Sequence, residues 1–321
     1  MSKPATPPGP AERPAEAPAA EAPVTATPPK ALPPEATALE AAPLAAGLYV
    51  VATPIGNLGD VTLRALDVLA RADAIACEDT RVTRKLLDRY GLRARLAVYN
   101  DHSDEADRAR LIAGIEAGGA VALVSDAGTP LISDPGYKLV RAAGERGLKV
   151  VPIPGASAAL AALMASGLPT DRFFFEGFLP ARSGERRRRI EELRTIPATL
   201  VLYESPHRLS DALTDLLDVM GDREAAVARE LTKAFEEIRR GRLAELAGFH
   251  AGHEVRGEVV VVLGPPALPA PPPEADLDAM LADALARLSL KDAAAAVAAA
   301  TGLPRRIVYQ RALALGKDRE P

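Results

Sequence analysis

The sequence is poor in cysteine, histidine and aromatic residues. Its 321 residues include one cysteine, four histidines and no tryptophan. The lone Cys77 excludes an intrachain disulfide and a cysteine-rich metal site. His250 and His253 are three positions apart but have no third ligand nearby in the sequence, so we expect no metal.

Long apolar runs are also missing. No stretch reaches the roughly 18 apolar residues that span a membrane, and the first residues lack the apolar segment of a secretory signal peptide. A nearly thiol-free chain also suits a reducing compartment. We therefore expect a cytoplasmic protein without a membrane partner.

The chain carries little net charge, −4, while hydrophobic residues make up 48% of it. That apolar fraction is enough for a sizeable core. The acidic balance argues mildly against a nucleic-acid partner, because phosphate binding requires lysine and arginine. Any such partner would have to be bound by local clusters of cations.

Two segments contain too much proline to belong to a packed core. Residues 1–46 hold 12 prolines and 15 alanines and no aromatic residue. This composition buries too little apolar surface to offset the entropy of ordering. We predict a disordered tail over 1–46 and a semi-stiff linker over 265–275.

Between these segments, short apolar strands alternate with helical patterns. The clearest strand is AVALVSD at 120–126. Continuous apolar strands indicate a mostly parallel sheet that is covered on both faces. The phenylalanine-rich stretch 168–180 marks a junction. The sequence predicts an α/β fold with two α/β domains and a cleft between them, over 47–167 and 168–264, followed by a small helix–turn–helix-like unit over 276–321.

Three polar loops follow strands of the first predicted domain, where open α/β sheets bind ligands. Residues 53–60 contain Gly and Asn, which permit close backbone approach, but no G-x-G-x-x-G dinucleotide motif. Residues 125–136 hold more Asp, Ser and Gly than a turn requires. Residues 152–157 open a helix whose free N–H groups suit a carboxylate. Each loop alone could be an ordinary turn, but three at one sheet edge predict a common crevice.

Seven ordered segments carry a resemblance to a known family. They are LYVVATPIGNLGDVTLRAL (48–66), CEDTR (77–81), LVSDAGTPLISDPG (123–136), PIPGASA (152–158), FFFEGFLP (173–180), LYESPHR (202–208) and ARELTK (228–233). Over about residues 47–265, the chain resembles the ribosomal RNA small-subunit methyltransferase I family of the tetrapyrrole-methylase superfamily (class III methyltransferases).

The resemblance implies S-adenosylmethionine bound between two α/β domains, and methylation of a cytidine 2′-hydroxyl in the decoding region of 16S ribosomal RNA. It also implies a homodimer that acts on small-subunit ribosomal RNA, in an assembled 30S subunit. The expected donor-binding residues are Pro54, Gly56, Asn57, Ser125, Asp126, Ala127, Gly128, Thr129, Asp134, Pro135, Gly136, Pro154, Gly155, Ala156 and Ser157.

The catalytic group is less well defined. A ribose hydroxyl is a weak nucleophile, so a base or a network that stabilises the developing alkoxide is expected. The four candidates are Glu78, Asp79, Glu204 and Lys233. For Asp79, an ordinary helix cap with a surface ion pair is an equal alternative.

Clustered arginines are the predicted RNA contacts. The densest run lies between 182 and 194, although four consecutive arginines cannot share one helical face, and a solvated helix is the alternative. The predicted RNA-binding residues are Arg81, Arg84, Arg182, Arg186, Arg187, Arg188, Arg189, Arg305, Arg306 and Arg311.

Three other functions remain open at this point. They are methylation of a tetrapyrrole, methylation of a protein in the diphthamide pathway, and RNA binding by a non-enzymatic adaptor. The arginine clusters favour RNA over the first two. The loops at the strand ends would have no purpose in the third.

Overall fold

The computed structural model describes residues 43–253, 255–267 and 274–317. Most of the predicted tail, residues 1–42, lies outside the described residues. So do residues 268–273 of the predicted linker.

The first sheet is parallel throughout, with strand order β3-β2-β4-β1-β5. Its strands are β1 (Gly47–Val51), β2 (Ala74–Cys77), β3 (Leu96–Val98), β4 (Ala120–Val124) and β5 (Val150–Ile153). The helices that follow them are α1 (Leu63–Arg71), α2 (Thr80–Arg89), α3 (Glu105–Glu116), α4 (Tyr137–Glu145) and α5 (Ala158–Ser166). Because the strands are parallel, all their carboxyl ends meet at one edge.

The central strand β4 shows why the sheet forms. All five of its residues are buried. Val121 and Leu123 belong to the core on one face, whereas Ala122 and Val124 belong to the core on the other. This two-sided burial is what a continuous apolar run predicts.

Helix α1 begins one turn after the first loop. The side chain of Thr62 accepts the N–H of Ala65 at 3.1 Å. Asp60, which is also of a residue type that often caps helices, ends a short 3₁₀ turn, Leu58–Asp60. The cap is therefore Thr62, which is also a preferred N-cap residue type.

The second sheet is mixed, with strand order β6-β7-β10-β8-β9. Its strands are β6 (Phe173–Phe178), β7 (Thr199–Glu204), β8 (Glu224–Arg229), β9 (Glu237–Arg242) and β10 (Val259–Leu263). The helices of this half are α6 (Ser183–Leu193), α7 (Leu209–Met220) and α8 (Leu243–His250). These helices cover one face of the sheet.

Helix α5 connects the two sheets. It follows the last strand of the first sheet, yet Ala159, Ala162 and Leu163 pack on the second sheet beside Val201 and Val260. The first sheet is thereby held with its carboxyl edge facing the second, and the fold prediction of two α/β units with a cleft is confirmed.

Three helices close the described chain: α9 (Glu274–Leu285), α10 (Leu290–Thr301) and α11 (Arg305–Lys317). Their small core contains Leu277, Leu281, Val297 and Val308. In the described part of the chain, no helix is long and apolar enough to cross a membrane.

Residues just before residue 47 already contact the first sheet and its core. Leu44 packs against the core that contains Tyr49 and Val51 of the first sheet, and the hydroxyl of Tyr49 donates to the carbonyl of Ala45 at 2.7 Å.

We predict that deletion of residues 1–42 leaves the melting temperature unchanged. Deletion of 1–46 removes both contacts and lowers it by roughly 2–6 °C, equivalent to about 1–2 kcal/mol. Thermal denaturation followed by circular dichroism compares the two. Equal melting temperatures for the two deletions would show that the contacts of Leu44 and Ala45 do not stabilise the fold.

Candidate functional site

The loops after β1 and β4 are joined by a pair of backbone hydrogen bonds. The N–H of Thr53 donates to the carbonyl of Gly128 at 2.8 Å, and the N–H of Gly128 donates back at 3.0 Å. The hydroxyl of Thr53 also donates to the carbonyl of Ser125 at 3.2 Å. This bridge fixes two predicted loops against each other.

Two further hydrogen bonds bring the remaining loops to the same place. The N–H of Asp79, after β2, donates to the carboxylate of Asp126 at 3.0 Å. The hydroxyl of Thr129 donates to the carbonyl of Ala156, after β5, at 3.1 Å. Four strand ends therefore converge on one crevice, as three loops were predicted to do.

A cavity of about 450 Å³ lies between this edge and the second sheet. Small-molecule sites commonly have volumes of about 300–1,000 Å³. The first half of the chain contributes Ile55, Glu78, Asp126, Ala127, Gly128, Thr129, Ile132, Ser133, Asp134, Ser157 and Ala158. The second half contributes Phe178, Tyr203, Glu204, Ser205, Pro206, Gly257, Glu258, Val259 and Val260.

The predicted donor-binding residues divide into two groups. Those that line the cavity are Asp126, Ala127, Gly128, Thr129, Asp134 and Ser157. Those outside its lining are Pro54, Gly56, Asn57, Ser125, Pro135, Gly136, Pro154, Gly155 and Ala156. Several of the second group brace the first, as Ala156 does by accepting from Thr129.

Gly155 is one of these braces. A Cβ at Gly155 would lie 2.9 Å from the Cβ of Ala52, so its missing side chain permits close packing of the β5 loop on the end of β1. A valine at this position would clash with Ala52. The structure indicates that the clash with Ala52 would disturb folding directly.

The β4 loop is conformationally strained. Leu131 and Ser133 have φ values of 74° and 63°, which non-glycine residues rarely adopt. Gly177 of β6 is close to this loop, since a Cβ there would lie 2.7 Å from the hydroxyl of Ser133. Strain of this kind persists when the surroundings enforce it and is often found at functional sites.

The cavity is acidic. Its lining holds five carboxylates, Glu78, Asp126, Asp134, Glu204 and Glu258, and among its described residues no lysine, arginine or histidine. Burial, followed by the neighbouring charge of Glu78, raises the pKa of Asp134 to about 6. Burial also raises the pKa of Glu78, with Asp126 contributing.

Glu204 is the most enclosed of the five carboxylates. One oxygen, Oε1, accepts from the N–H of Ser205 at 2.7 Å and from Arg208 Nε at 2.8 Å. The other oxygen, Oε2, is buried without a hydrogen-bond partner among the described residues. A small-molecule donor of a hydrogen bond would satisfy it.

Asp79 and Lys233 do not match their predicted roles. Asp79 caps α2 and pairs with Arg81 at 2.6 Å, and hydrogen bonds from Arg81 lower its pKa to about 2. Lys233 pairs with Glu230 at 2.7 Å and with Glu258 at 2.9 Å. Neither lines the cavity. For Asp79, the structure shows the helix cap and ion pair that were the alternative to a catalytic role.

Several cavity residues had not been predicted. They include Ile55, Ile132, Phe178, Gly257 and Glu258. Phe178 packs edge-on against Tyr203, with ring centroids 5.6 Å apart. Alternation along a strand would place Phe178 on the face opposite to Phe175. A bulge between Phe175 and Gly177 brings both rings against Tyr203, and the phenylalanine run, which we had read as a junction, does not reveal that bulge.

The predicted RNA-binding arginines of α6 differ in availability. Arg186 is buried and pairs with Asp215 at 2.7 Å. A guanidinium in this position cannot reach a phosphate, so the prediction for Arg186 is corrected. Arg187 also pairs with Asp215, at 2.9 Å. Arg182 and Arg188 are exposed.

The remaining predicted arginines are at the surface or pair with acids. Arg189 pairs with Glu176 at 2.6 Å, and Arg311 pairs with Asp278 at 2.7 Å. Arg81, Arg84, Arg305 and Arg306 are exposed. In the described part of the chain, no cluster of His, Cys, Asp and Glu has the arrangement of a metal site.

Comparison with known families gives two matches. Residues 47–247 match the family described as Tetrapyrrole (Corrin/Porphyrin) Methylases. Residues 271–316 match the RsmI C-terminal HTH domain. The two matches together cover the first sheet, four of the five strands of the second sheet and nearly all of the C-terminal helices.

The chain is similar to several proteins named ribosomal RNA small subunit methyltransferase I. The relative from Mesorhizobium japonicum is 52% identical, over 85% of this chain and 93% of its own length. The relative from Pseudomonas aeruginosa is 48% identical, over 84% and 97%. That from Escherichia coli O157:H7 is 47% identical, over 83% and 94%.

Solved structures show the same fold at lower identity. A diphthine synthase has a TM-score of 0.53 at 23% identity, covering 68% of this chain and 89% of its own. The methyltransferase CobJ has a TM-score of 0.53 at 20% identity, covering 70% and 95%. These likenesses concern the fold alone.

The raised pKa of Asp134 predicts a pH-dependent stability. The pKa of this carboxyl is about 6 in the folded chain, compared with 3.8 for an ordinary aspartate. Its ionisation therefore destabilises the fold. The destabilisation is absent below about pH 4 and complete above about pH 6. Asp134→Asn should therefore raise the melting temperature at pH 8 by roughly 2–4 °C, equivalent to about 1 kcal/mol after solvent screening.

This gain should shrink as the pH is lowered from 8 to 4, and the exposed Asp88, changed to Asn, should show no such trend. Melting curves across that range provide the measurement. A variant at Asp134 that is less stable than the parent at pH 8 would contradict the electrostatic description.

Proposed function

The chain belongs to the ribosomal RNA small subunit methyltransferase I family of the tetrapyrrole methylases, and from that premise we propose that it methylates the 2′-hydroxyl of a cytidine in the decoding region of 16S ribosomal RNA. It is an enzyme that uses S-adenosylmethionine, which supplies the electrophilic methyl group when bound. The observation that carries the proposal is the acidic cavity between the two sheets.

The cavity suits the methyl donor on three grounds. Its volume of about 450 Å³ is in the range of small-molecule sites. Glu78, Asp126 and Asp134, which have no ion pair in the described chain, favour a sulfonium and an ammonium cation by direct Coulomb attraction. Ala127 is exposed at the cavity, and its small side chain leaves room for a ligand there. We assign donor binding to Asp126, Ala127, Gly128 and Thr129 of the β4 loop and to Ser157 after β5, all of which line the cavity.

The same acidity limits what part of an RNA can enter. Phosphate groups would be repelled by the five carboxylates, whereas a ribose and its base are neutral. The RNA backbone must then remain outside the cavity, where Arg182 and Arg188 are exposed. The C-terminal helices carry further exposed arginines, Arg305 and Arg306. We assign phosphate contacts to these four.

The cavity also weighs against a tetrapyrrole substrate. Natural tetrapyrroles carry several carboxylate side chains, and a lining of Glu78, Asp126, Asp134, Glu204 and Glu258 without a described cation would repel them. The C-terminal helix–turn–helix domain also favours a nucleic acid. We further propose a cytoplasmic homodimer that acts on the assembled 30S subunit.

The proposed function is tested by analysis of the product. The chain is incubated with small ribosomal subunits that lack the modification and with labelled S-adenosylmethionine. Digestion to nucleosides and mass spectrometry should find label in 2′-O-methylcytidine from the decoding region. Label on a base, or on another nucleotide only, would overturn the assignment.

Donor binding can be tested by filling the cavity. Ala127 is exposed and lines the cavity, so a larger side chain there should not disturb the core. We predict that Ala127→Leu weakens S-adenosylmethionine binding at least ~10-fold, equal to about 1.4 kcal/mol, with an unchanged melting temperature. The matched control is Ala113→Leu, on an exposed position of α3. Calorimetry that finds equal affinities would place the donor elsewhere.

RNA binding can be tested by its salt dependence. Arg182 and Arg188 changed together to Gln should reduce the salt slope of subunit binding by about one to two units, since each lost phosphate contact removes nearly one. Donor affinity should not change. Arg141→Gln is the control, because this exposed arginine pairs with Glu145 away from the cavity. An unaltered slope would remove α6 from the RNA-binding surface.

A further inference from the structure

The cavity contains carboxylates that the protein itself leaves unneutralised. Glu204 is held by Arg208, and Glu258 pairs with Lys233 at 2.9 Å. Asp126 accepts the N–H of Asp79 at 3.0 Å. Within the described chain, Glu78, Asp126 and Asp134 are the cavity carboxylates that have no ion pair.

Asp134 lies close enough to the other two, Glu78 and Asp126, for their charges to act on it. Its carboxyl is partly buried, and the nearby hydroxyl of Ser125 favours its ionised form. Its charge interacts with that of Glu78, which follows β2 of the first sheet, and also acts on the hydroxyl of Tyr203 in the second sheet. The carboxyl of Asp134 therefore lies where the two halves of the cavity meet.

The backbone before Asp134 is held in place by the second sheet. Leu131 and Ser133 adopt positive φ values of 74° and 63°. The hydroxyl of Ser133 lies so close to Gly177 that a Cβ there would be 2.7 Å away. A conformation this costly is kept only if its surroundings enforce it, and it presents Asp134 to the cavity.

We propose that Asp134 accepts the proton of the substrate hydroxyl during methyl transfer, an inference that rests on the proposed function. The substrate O–H bond breaks and its proton passes to a carboxylate oxygen of Asp134. The hydroxyl oxygen forms a new C–O bond to the methyl group. The S–C bond of the donor breaks, and its electron pair stays on sulfur as a neutral thioether.

The surroundings of Asp134 suit this role. Glu78, Asp126 and Asp101 place negative charge near it, and together with burial they raise its pKa to about 6. The carboxyl is thus ionised at neutral pH, yet more basic than an ordinary aspartate, as a general base should be. The other titratable groups facing the cavity are Tyr203, Glu204 and Glu258.

The first experiment separates proton transfer from donor binding. Asp134→Asn keeps the size of the side chain but removes its basicity. We expect kcat on small ribosomal subunits to fall by roughly 10²–10⁴-fold, while the donor affinity measured by calorimetry stays within about 2-fold. Asp134→Glu should recover part of the activity. In the parent, log(kcat/KM) should rise with unit slope below about pH 6 and level off above it.

A second readout does not depend on activity. With ¹³C-carboxyl-labelled aspartate, NMR should show one resonance that titrates near pH 6 and is missing in Asp134→Asn. Asp101→Asn removes a neighbouring negative charge outside the cavity lining. It should move that titration, and the inflection of the rate profile, to lower pH without lowering the rate plateau.

The outcomes are distinct. If the parent does not methylate the subunits, the proposed function fails and the inference fails with it. If the parent is active and Asp134→Asn keeps its rate and pH profile, only the inference is overturned. If Asp134→Asn loses donor affinity together with activity, Asp134 belongs to the donor site and is not the proton acceptor.

Discussion

The site depends on the pair of backbone hydrogen bonds between Thr53 and Gly128. These bonds join the ends of β1 and β4, which are neighbours in the middle of the first sheet. With the β4 loop fixed in this way, Ala127 and Asp134 are placed on the cavity. Helix α5 completes the enclosure, because it leaves the first sheet and packs on the second. A ligand crevice at the carboxyl ends of parallel strands is the general outcome of such a fold.

Charge is distributed in a way that matches the two substrates. The cavity holds five carboxylates and, among its described residues, no basic side chain, whereas exposed arginines such as Arg182 and Arg188 lie outside its lining. A cationic donor and a neutral ribose are therefore compatible with the interior, and phosphates with the exterior. The net charge of −4 is a sum over the whole chain and does not show this separation. For that reason the net charge is only weak evidence against an RNA partner.

The sequence predicts local features better than tertiary ones. The buried strand β4 and the loops after β1, β4 and β5 follow from apolar patterns and turn residues, and the structure brings those loops together. Strand β6 was read as a junction, and the charged edge strand β9 was not predicted, because their identity comes from pairing with β7 and β8. The burial of Arg186 depends on Asp215, 29 positions away, and no local pattern shows that partner.

We expect the donor to occupy the cavity between the two sheets. A crystal structure of the chain with S-adenosylhomocysteine tests this placement most directly. Ligand density should be bounded by Ala127, Gly128 and Ser157 on one side and by Tyr203 and Val260 on the other. Density for the ligand at any other place, with this cavity filled only by solvent, would contradict donor binding between the sheets.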